Sequence, residues 1–262
     1  MAISTHRILV SNDDGINAPG IEVMERVARQ FSDDVWVVAP SDERSGAGHS
    51  LTLTKPLRVR KLDEKRFAVS GTPTDCVMMA LNQIMPYEHP TLILSGINRG
   101  GNLAEDITYS GTVSVAMEGT LGKIPSIAFS QCIRPPAKTK WETAEKFAPQ
   151  VLKKLIAMDW PKDVLMNVNF PAFDPDEVKG IHVTQQGRRE VIGNNVEERK
   201  DPRGFRYFWF GLGREVGVPG HETDLKAVRS QYISVTPLHL DLTHHETRRQ
   251  MADQMMEEFS GE

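Results

Sequence analysis

Two adjacent carboxylates follow the first predicted strand of this chain. That strand covers residues 7–11, and Asn12-Asp13-Asp14-Gly15 comes directly after it. Open α/β sheets bind ligands at the carboxyl ends of their strands, so we expect both carboxylates at that edge. They can converge on one hard cation there, because Gly15 lets the backbone turn. An Asx turn that caps the next helix is the competing interpretation, and for an isolated Asp-Asp-Gly it is the commoner one.

Two glycine-rich loops are expected at the same edge of the sheet. Residues 45–50 follow the second predicted strand, and Ser45 there offers a hydroxyl oxygen to a cation. Residues 95–102 follow a later strand and contain two asparagines, Asn98 and Asn102. Asparagine carbonyl oxygens are acceptable ligands for Mg²⁺ or Mn²⁺, and the amide groups can donate to phosphate oxygens. Each loop taken alone is also explained as a plain turn.

A predicted helix start at Ser110, Gly111 and Thr112 follows these loops. The first N–H groups of a helix are unpaired and lie at its positive dipole end, so they can hold a phosphate. An ordinary Ser or Thr N-cap is the simpler interpretation of this segment alone. The convergence of three oxygen-rich loops and one anion-binding helix start favours metal-assisted phosphate chemistry.

The elements that must position these loops alternate between short β-branched runs and segments of helical periodicity. This alternation predicts an α/β fold, a Rossmann-like, mostly parallel sheet flanked by helices. The predicted strands lie at 7–11, 35–39, 91–95, 124–130 and 164–170, and the helices start at 19 or cover 73–85, 111–121 and 141–158. Residues 51–70 predict an antiparallel β-hairpin inserted into this pattern.

The regular alternation stops in a loop rich in proline and acidic residues after the last of these strands. We therefore predict an α/β core at residues 1–170 and a C-terminal region at 171–262, although one continuous domain also fits. Residues 187–221, which surround an aromatic strand, predict a projecting hairpin arm. A terminal helix at 243–259 is expected to dock on the body or on a partner subunit. The apolar side chains on one side of that helix are Met251, Met255, Met256 and Phe259.

Charge and composition exclude several classes of protein. The chain has 262 residues with 31 Lys and Arg against 35 Asp and Glu, and its net charge of −4 argues against a nucleic-acid coat protein. The basic pair Arg188-Arg189 is most simply solvated, with contact to an anionic substrate as the alternative. No apolar run approaches the roughly 20 residues of a membrane span, and the charges of Asp13 and Asp14 interrupt any signal peptide. We expect a cytoplasmic protein that does not enter the membrane.

Several motifs occur together in this chain: Ser-Asn-Asp-Asp-Gly at 11–15, Ser-Gly-Ala at 45–47, Gly-Thr-Pro-Thr-Asp-Cys at 71–76, Ser-Gly-Ile-Asn at 95–98, Tyr-Ser-Gly-Thr-Val at 109–113 and Ile-Ser-Val-Thr-Pro-Leu at 233–238. In this order the sequence resembles the survival-protein SurE nucleotidase family. Several motifs in family order are far more specific than any one of them. One departure is Ala104, which stands where a glycine is usual.

The resemblance implies a metal-dependent phosphatase that hydrolyses nucleoside 5′-monophosphates, often with 3′-monophosphates and short polyphosphate as further substrates. It also implies one divalent ion per subunit, Mg²⁺ or Mn²⁺, in a cytoplasmic homodimer or homotetramer. By matching motif positions, the metal ligands fall on Asp13, Asp14, Ser45 and Asn98. The phosphate-binding groups fall in the same way on Asn102, Ser110, Gly111 and Thr112, and the catalytic residues are Asp13, Asp14 and Asn102.

The corresponding mechanism has the ion polarise a phosphoryl oxygen and lower the pKa of a bound water, which attacks phosphorus in line. Asn102 and the helix start would stabilise charge on the transferred group. Asp13 as a covalent nucleophile stays open, as do a noncatalytic nucleotide sensor and a phosphodiesterase or exopolyphosphatase using the same ion. The leaving-group acid is unassigned, because these loops contain no histidine or lysine except His49.

Overall fold

The computed structural model describes residues 6–134, 138–189, 195–211 and 220–259. The strands are β1 (Arg7–Ser11), β2 (Asp34–Pro40), β3 (Val59–Asp63), β4 (Arg66–Val69), β5 (Leu92–Arg99), β6 (Ser126–Gln131), β7 (Val164–Phe170), β8 (Gly180–Val183), β9 (Asn195–Lys200), β10 (Arg206–Gly211) and β11 (Tyr232–His239). The α-helices are α1 (Pro19–Ala28), α2 (Pro73–Met79), α3 (Gly111–Leu121), α4 (Trp141–Ile156), α5 (Asp224–Arg229) and α6 (His245–Phe259). None of the helices in these ranges is long and apolar enough to cross a membrane.

Nine strands form one sheet in the order β3-β4-β2-β1-β5-β6-β7-β11-β8. Neighbours from β4 to β7 are parallel, while β3 is antiparallel to β4 and β11 is antiparallel to β7. The predicted mostly parallel α/β sheet is therefore confirmed, and the inserted hairpin is β3–β4 at one edge. β8 and β11 show that the chain after residue 170 also contributes strands to this sheet.

Strand β1 lies in the middle of the sheet and is buried on both faces. Ile8 and Val10 belong to a core cluster with side chains of α1 and α4, whereas Leu9 belongs to a second cluster with side chains of α2 and α3. Alternate residues of a strand point to opposite faces, so the apolar run of β1 indicates helices on both sides. Each such side chain stabilises the fold by about 1.5–3 kcal/mol on full burial.

The helices form where the sequence predicts them, with one local difference. In α1, Pro19 occupies the first turn and the buried face includes Ile21, Met24 and Val27, as the helical spacing requires. The helix predicted at 73–85 is α2 followed by a π-helical turn, Ala80–Ile84. Thr72 caps α2 by accepting a hydrogen bond from the N–H of Asp75, which fixes where that helix begins.

One carboxylate connects the strands at their N-terminal ends, the edge of the sheet opposite the loops of the predicted site. Asp34, at the start of β2, accepts hydrogen bonds from Arg7 Nε (2.6 Å), Lys65 Nζ (2.8 Å) and Trp36 Nε1 (2.9 Å). Partial burial opposes its ionisation, but the hydrogen bonds from Lys65, Arg7 and Trp36 hold the pKa of Asp34 at about 2. These bonds join the N-terminal ends of three neighbouring segments.

Two C-terminal elements expose apolar side chains. β9 and β10 pair with each other in a separate two-stranded sheet, within the range 187–221 for which a projecting hairpin arm stays a prediction. In α6, Met251 and Met255 are 52% and 54% exposed, so neither docks on the body of this chain. The predicted contacts of the Met256 and Phe259 side chains lie outside the described residues.

Replacing Asp34 by asparagine removes the charge that Arg7 and Lys65 contact. We expect the free energy of unfolding at pH 7 to fall by about 1 kcal/mol, as for a partly exposed charge-assisted bond. Folding lowers the pKa of Asp34 from 3.8 to about 2, so the wild-type advantage is present above pH 3.8 and is lost toward pH 2. Urea titrations of both proteins should give a smaller difference at pH 3 than at pH 7, and a difference independent of pH would contradict this assignment.

Candidate functional site

A cleft of about 580 Å³ opens at the carboxyl edge of the sheet, between the loops that follow the parallel strands. The residues predicted from the sequence that line it are Asp13, Ser45, Asn98, Asn102 and Ser110. Asp14 lines a neighbouring cavity of about 490 Å³, and Arg99 lines both. The fold therefore brings side chains from four separate segments into one place.

A turn closed by Asn12 presents the two carboxylates. The Gly15 N–H donates to Asn12 Oδ1 at 3.2 Å, and Asn12 Nδ2 donates to the carbonyl oxygen of Gly15 at 2.9 Å. Gly15 has a φ of +100°, a conformation that favours glycine. The Asx turn considered as an alternative to a metal site thus exists, but it is made by Asn12 and leaves both aspartates available.

The carboxylate of Asp13 is buried against the start of α3. Asp13 is 5% exposed, and its Oδ1 accepts a hydrogen bond from the hydroxyl of Thr112. A Cβ on Gly111 would lie 2.6 Å from the Asp13 Cβ, so only glycine allows this approach. Burial raises the pKa of Asp13 to about 6, although Thr112 opposes that rise, and the charge of Asp14 raises the pKa further.

Asp14 lies beside Asp13 in a more open position. Its Oδ2 accepts a hydrogen bond from the backbone N–H of Arg99 at 3.1 Å. Partial burial raises the pKa of Asp14 while this hydrogen bond opposes the shift, and the charge of Glu43 raises the pKa again. The charge of Arg99 also opposes the rise at Asp14, but burial is the largest influence on the pKa of both aspartates and penalises their ionised forms.

The loop that carries Ser45 is attached at several points. Ser45 is exposed, and its hydroxyl donates to Glu43 Oε1 at 2.8 Å. The Gly48 N–H donates to the Tyr109 carbonyl oxygen at 3.1 Å, and His49 Nε2 lies 3.0 Å from Glu118 Oε2 on α3. His49 is thus directed toward α3, and it is not among the residues that line the cleft.

The donor set suits a hard divalent cation. Within the described ranges no lysine, arginine or histidine forms an ion pair with Asp13 or Asp14, so a cation would offset their charges. Asn98 Nδ2 donates to the Gly100 carbonyl oxygen at 2.9 Å, which leaves Asn98 Oδ1 as an acceptor. Among the same residues, no group of three or more His, Cys, Asp or Glu could hold a metal. Amide, hydroxyl and water oxygens would have to complete the shell, as Mg²⁺ and Mn²⁺ accept.

Asn102 is fixed by strands β6 and β7. Its N–H donates to Asn169 Oδ1 at 2.8 Å, and its carbonyl oxygen accepts from Asn167 Nδ2 at 2.9 Å. Its side-chain Nδ2 donates to Ser130 Oγ at 2.7 Å. A hydroxyl can also donate, so a turn of the Asn102 amide would direct its NH₂ group into the cleft while Ser130 bonds Oδ1.

The start of α3 contributes differently at each predicted position. Ser110 lines the cleft and caps the helix, since its Oγ accepts from the Val113 N–H at 3.0 Å while its own hydrogen can still donate. Gly111 packs on Asp13, and the hydroxyl of Thr112 binds Asp13 rather than lining the cleft. Direct contact of Ser110, Gly111 or Thr112 with phosphate stays a prediction.

Four arginines line the cleft: Arg99, Arg134, Arg189 and Arg229. Sequence reasoning named only Arg189 among them, with contact to an anionic substrate as the alternative to a solvated side chain. Arg189 differs from the expectation of a solvated side chain, because its guanidinium is 8% exposed and bonds Asp106 Oδ2 at 2.7 Å. Arg99 and Arg229 are the last residues of β5 and α5, and Arg134 and Arg189 lie in loops, so no periodic pattern links the four. The one signal in the sequence that could have indicated them is chemical: an anionic substrate is expected to bind near positively charged side chains.

Comparisons with known proteins agree with this geometry. The family described as Survival protein SurE matches residues 8–192. A protein named 5′-nucleotidase SurE from Parvibaculum lavamentivorans is 55% identical over 94% of this chain and 90% of its own length. Its counterpart from Caulobacter vibrioides is 53% identical over 92% and 93%.

A solved structure is also similar over almost the whole chain. The SurE protein from Aquifex aeolicus is 42% identical, with a TM-score of 0.81 over 95% of this chain and 99% of that one. The fold, the loops of the cleft and the sequence over most of its length all agree with these relatives. We conclude that the chain belongs to the SurE family.

Proposed function

We propose that this chain hydrolyses nucleoside 5′-monophosphates to nucleoside and phosphate, and that Asp13, Asp14, Ser45 and Asn98 hold one divalent ion, Mg²⁺ or Mn²⁺, in each subunit. The observation that carries this proposal is a pair of adjacent carboxylates that forms no ion pair with a lysine, arginine or histidine among the described residues, one of them against a helix N-terminus at the cleft. Relatives of more than 50% identity named 5′-nucleotidases support the reaction class.

Binding of the phosphoryl group is assigned to one wall of the cleft. Ser110 donates its hydroxyl hydrogen to a phosphoryl oxygen, and the NH₂ group of Asn102 does so after its amide turns. The N-terminus of α3 adds a favourable dipole. Arg99, Arg134 and Arg229 form no ion pair within 4.0 Å among the described residues, although the charge of Arg99 acts on Asp14 and Arg134 lies over the ring of Phe173. Their positive charge at the cleft attracts a dianionic substrate.

When bound, the divalent ion supplies Lewis-acid chemistry: it polarises a phosphoryl oxygen and makes a water molecule a stronger nucleophile. The residues of this chain hold the reacting groups in place. Asp13 is fixed by Thr112, and Asn102 is fixed by Asn169 and Ser130. Such preorganised groups stabilise the charge of the transition state without reorganising.

Attack by water is favoured over attack by Asp13. One oxygen of Asp13 is engaged by Thr112, and the side chain is wedged against Gly111. A covalent nucleophile needs an open approach to phosphorus, and Asp13 is 5% exposed. Hydrolysis of a nucleoside thiophosphate made chiral at phosphorus with oxygen isotopes tests this, because direct attack by water inverts the configuration at phosphorus, whereas a phosphoryl-Asp13 intermediate would give retention.

The substrate range follows from the composition of the cleft walls. Tyr109, which is 63% exposed, and Phe173 line the cleft and offer aromatic faces on which a base can stack. Stacking tolerates every base, so we propose a broad base preference. The arginines also favour 3′-monophosphates and short polyphosphates as further substrates. We place the enzyme in the cytoplasm, with the 1–170 core carrying the metal and phosphate loops.

Metal dependence is the first prediction of this proposal. Metal-stripped protein should release no phosphate from nucleoside monophosphates, and added Mg²⁺ or Mn²⁺ should restore release that a chelator abolishes. The measurement is colorimetric phosphate release across a panel of 5′- and 3′-monophosphates, a phosphodiester and polyphosphate. Retained nucleotide binding without release under any ion would favour a noncatalytic sensor instead.

Removal of one carboxylate should weaken metal binding and turnover together. For Asp14→Asn we expect kcat to fall on the order of 10²- to 10³-fold, since the change weakens the hold on the cation that would stabilise transition-state charge. The metal concentration giving half-maximal activity should rise at the same time. The control is Asp33→Asn, an exposed carboxylate beside β2. Full activity of Asp14→Asn at limiting metal would show that Asp14 is not a ligand.

The proposed homodimer or homotetramer should depend on the exposed hairpin β9–β10. Phe208 and Trp209 are 53% and 59% exposed there, and a monomer rarely leaves such side chains clustered in water. Sedimentation should give a multiple of the 29.3 kDa chain mass, and Phe208→Ser with Trp209→Ser should lower it. A wild-type mass of 29.3 kDa at micromolar concentration would contradict the oligomer.

A further inference from the structure

One buried carboxylate that the proposed reaction does not use lies behind the cleft. Asp224, the first residue of α5, is completely buried. Its Oδ2 accepts from the Ala104 N–H at 2.8 Å, and its Oδ1 accepts from the N–H groups of Gly187 at 2.9 Å and Leu225 at 2.7 Å. The carboxylate therefore joins three segments that are remote in sequence.

Ala104 has a backbone conformation that needs such support. Its φ is 51°, in the left-handed region that residues other than glycine rarely adopt. Asp224 binds its N–H group, and Gln186 Nε2 donates to its carbonyl oxygen at 2.9 Å. Both polar groups of Ala104 are thus held by side chains from the C-terminal region.

Neighbouring contacts fix the same stretch of chain. Arg189 donates to the Leu103 carbonyl oxygen at 3.1 Å, and its ion pair with Asp106 was described above. Leu103 is buried in a cluster with Leu225 and Val228 of α5. Residues 103–106 are therefore held by backbone and side-chain contacts just after Asn102, the proposed phosphate-binding residue.

The Asp224 carboxylate occupies space that is open because Gly187 has no side chain. A Cβ on Gly187 would lie 2.6 Å from Asp224 Oδ1 and 3.1 Å from Leu225 Cδ1. Any side chain at 187 would displace the carboxylate or the loop. Gly187 and Asp224 thus form one contact, and changing either residue should release Ala104.

We infer that Asp224 is a positioning residue for phosphoryl transfer, which holds Ala104 so that Asn102 faces the transferred group. This inference rests on the proposed function, because Asn102 must contact phosphate for its position to matter. Asp224 lies behind the wall and does not touch the substrate. Its effect should reach turnover through Asn102, because small misplacements of catalytic groups lower rates strongly.

The test is a double-mutant cycle between Asp224→Asn and Asn102→Ala. Asparagine keeps the shape of Asp224 but presents an NH₂ group that cannot accept, so an N–H partner is lost. We expect Asp224→Asn to lower kcat by about 10- to 100-fold with KM changed less than about twofold. On the Asn102→Ala background it should lower kcat no further.

A second readout does not depend on activity. Hydrogen exchange of peptides covering residues 102–106 should be faster in Asp224→Asn than in the wild type. The control is Asp34→Asn, the same replacement at the opposite edge of the sheet, which should leave both kcat and this exchange unchanged. If Asp224→Asn does not fold, Gly187→Ala takes its place, because its Cβ meets the same carboxylate.

Two results would overturn the inference alone. One is unchanged kcat in Asp224→Asn although residues 102–106 exchange faster. The other is an equal loss of kcat with and without Asn102, which would indicate a general effect on the fold. A wild-type protein that releases no phosphate with any ion would instead overturn the proposed function and the inference with it.

Discussion

Burial of the Asp13 carboxylate at the end of β1 is the constraint on which the rest of the site depends. Burial without compensation would cost several kcal/mol for an ionised group. The chain offsets part of this cost with the Thr112 hydroxyl and the start of α3, which approaches closely because Gly111 has no side chain. The remaining imbalance, seen in the raised pKa of Asp13, is what a divalent cation would remove.

The parallel topology places the candidate site at one edge of the sheet and the stabilising hydrogen bonds of Asp34 at the other. From β4 to β7 the strands run in one direction, so the carboxyl ends of β1, β2 and β5 deliver three oxygen-bearing loops and the start of α3 to one edge. The opposite edge carries the hydrogen bonds of Asp34, which join the starts of the strands. Loops at the first edge can therefore hold unfavourable charges while the core and the second edge keep the sheet together.

The C-terminal region adds strands to the sheet, and its side chains support one wall of the cleft. β8 and β11 extend the sheet, α5 brings Asp224 to Ala104, and Arg189 reaches the wall of the cleft. The division of the chain at residue 170 stays a prediction, but the wall of the cleft depends on both parts. The exposed side chains of β9–β10 and α6 leave this region with apolar surface for other contacts.

The sequence by itself determined the alternating strands and helices of residues 7–170 and the loops of the candidate site, whereas β8, α5 and β11 were not predicted from it. Helical spacing in α1, the start of α3 at Gly111 and the motif around Asp13 are local patterns that backbone conformation and burial dictate. Only the tertiary structure decided which side chains meet: Thr112 with Asp13, Arg189 with Asp106 and Ala104 with Asp224 are separated by 99, 83 and 120 residues. Such contacts depend on how loops without periodicity cross in space, so no pattern within one segment encodes them.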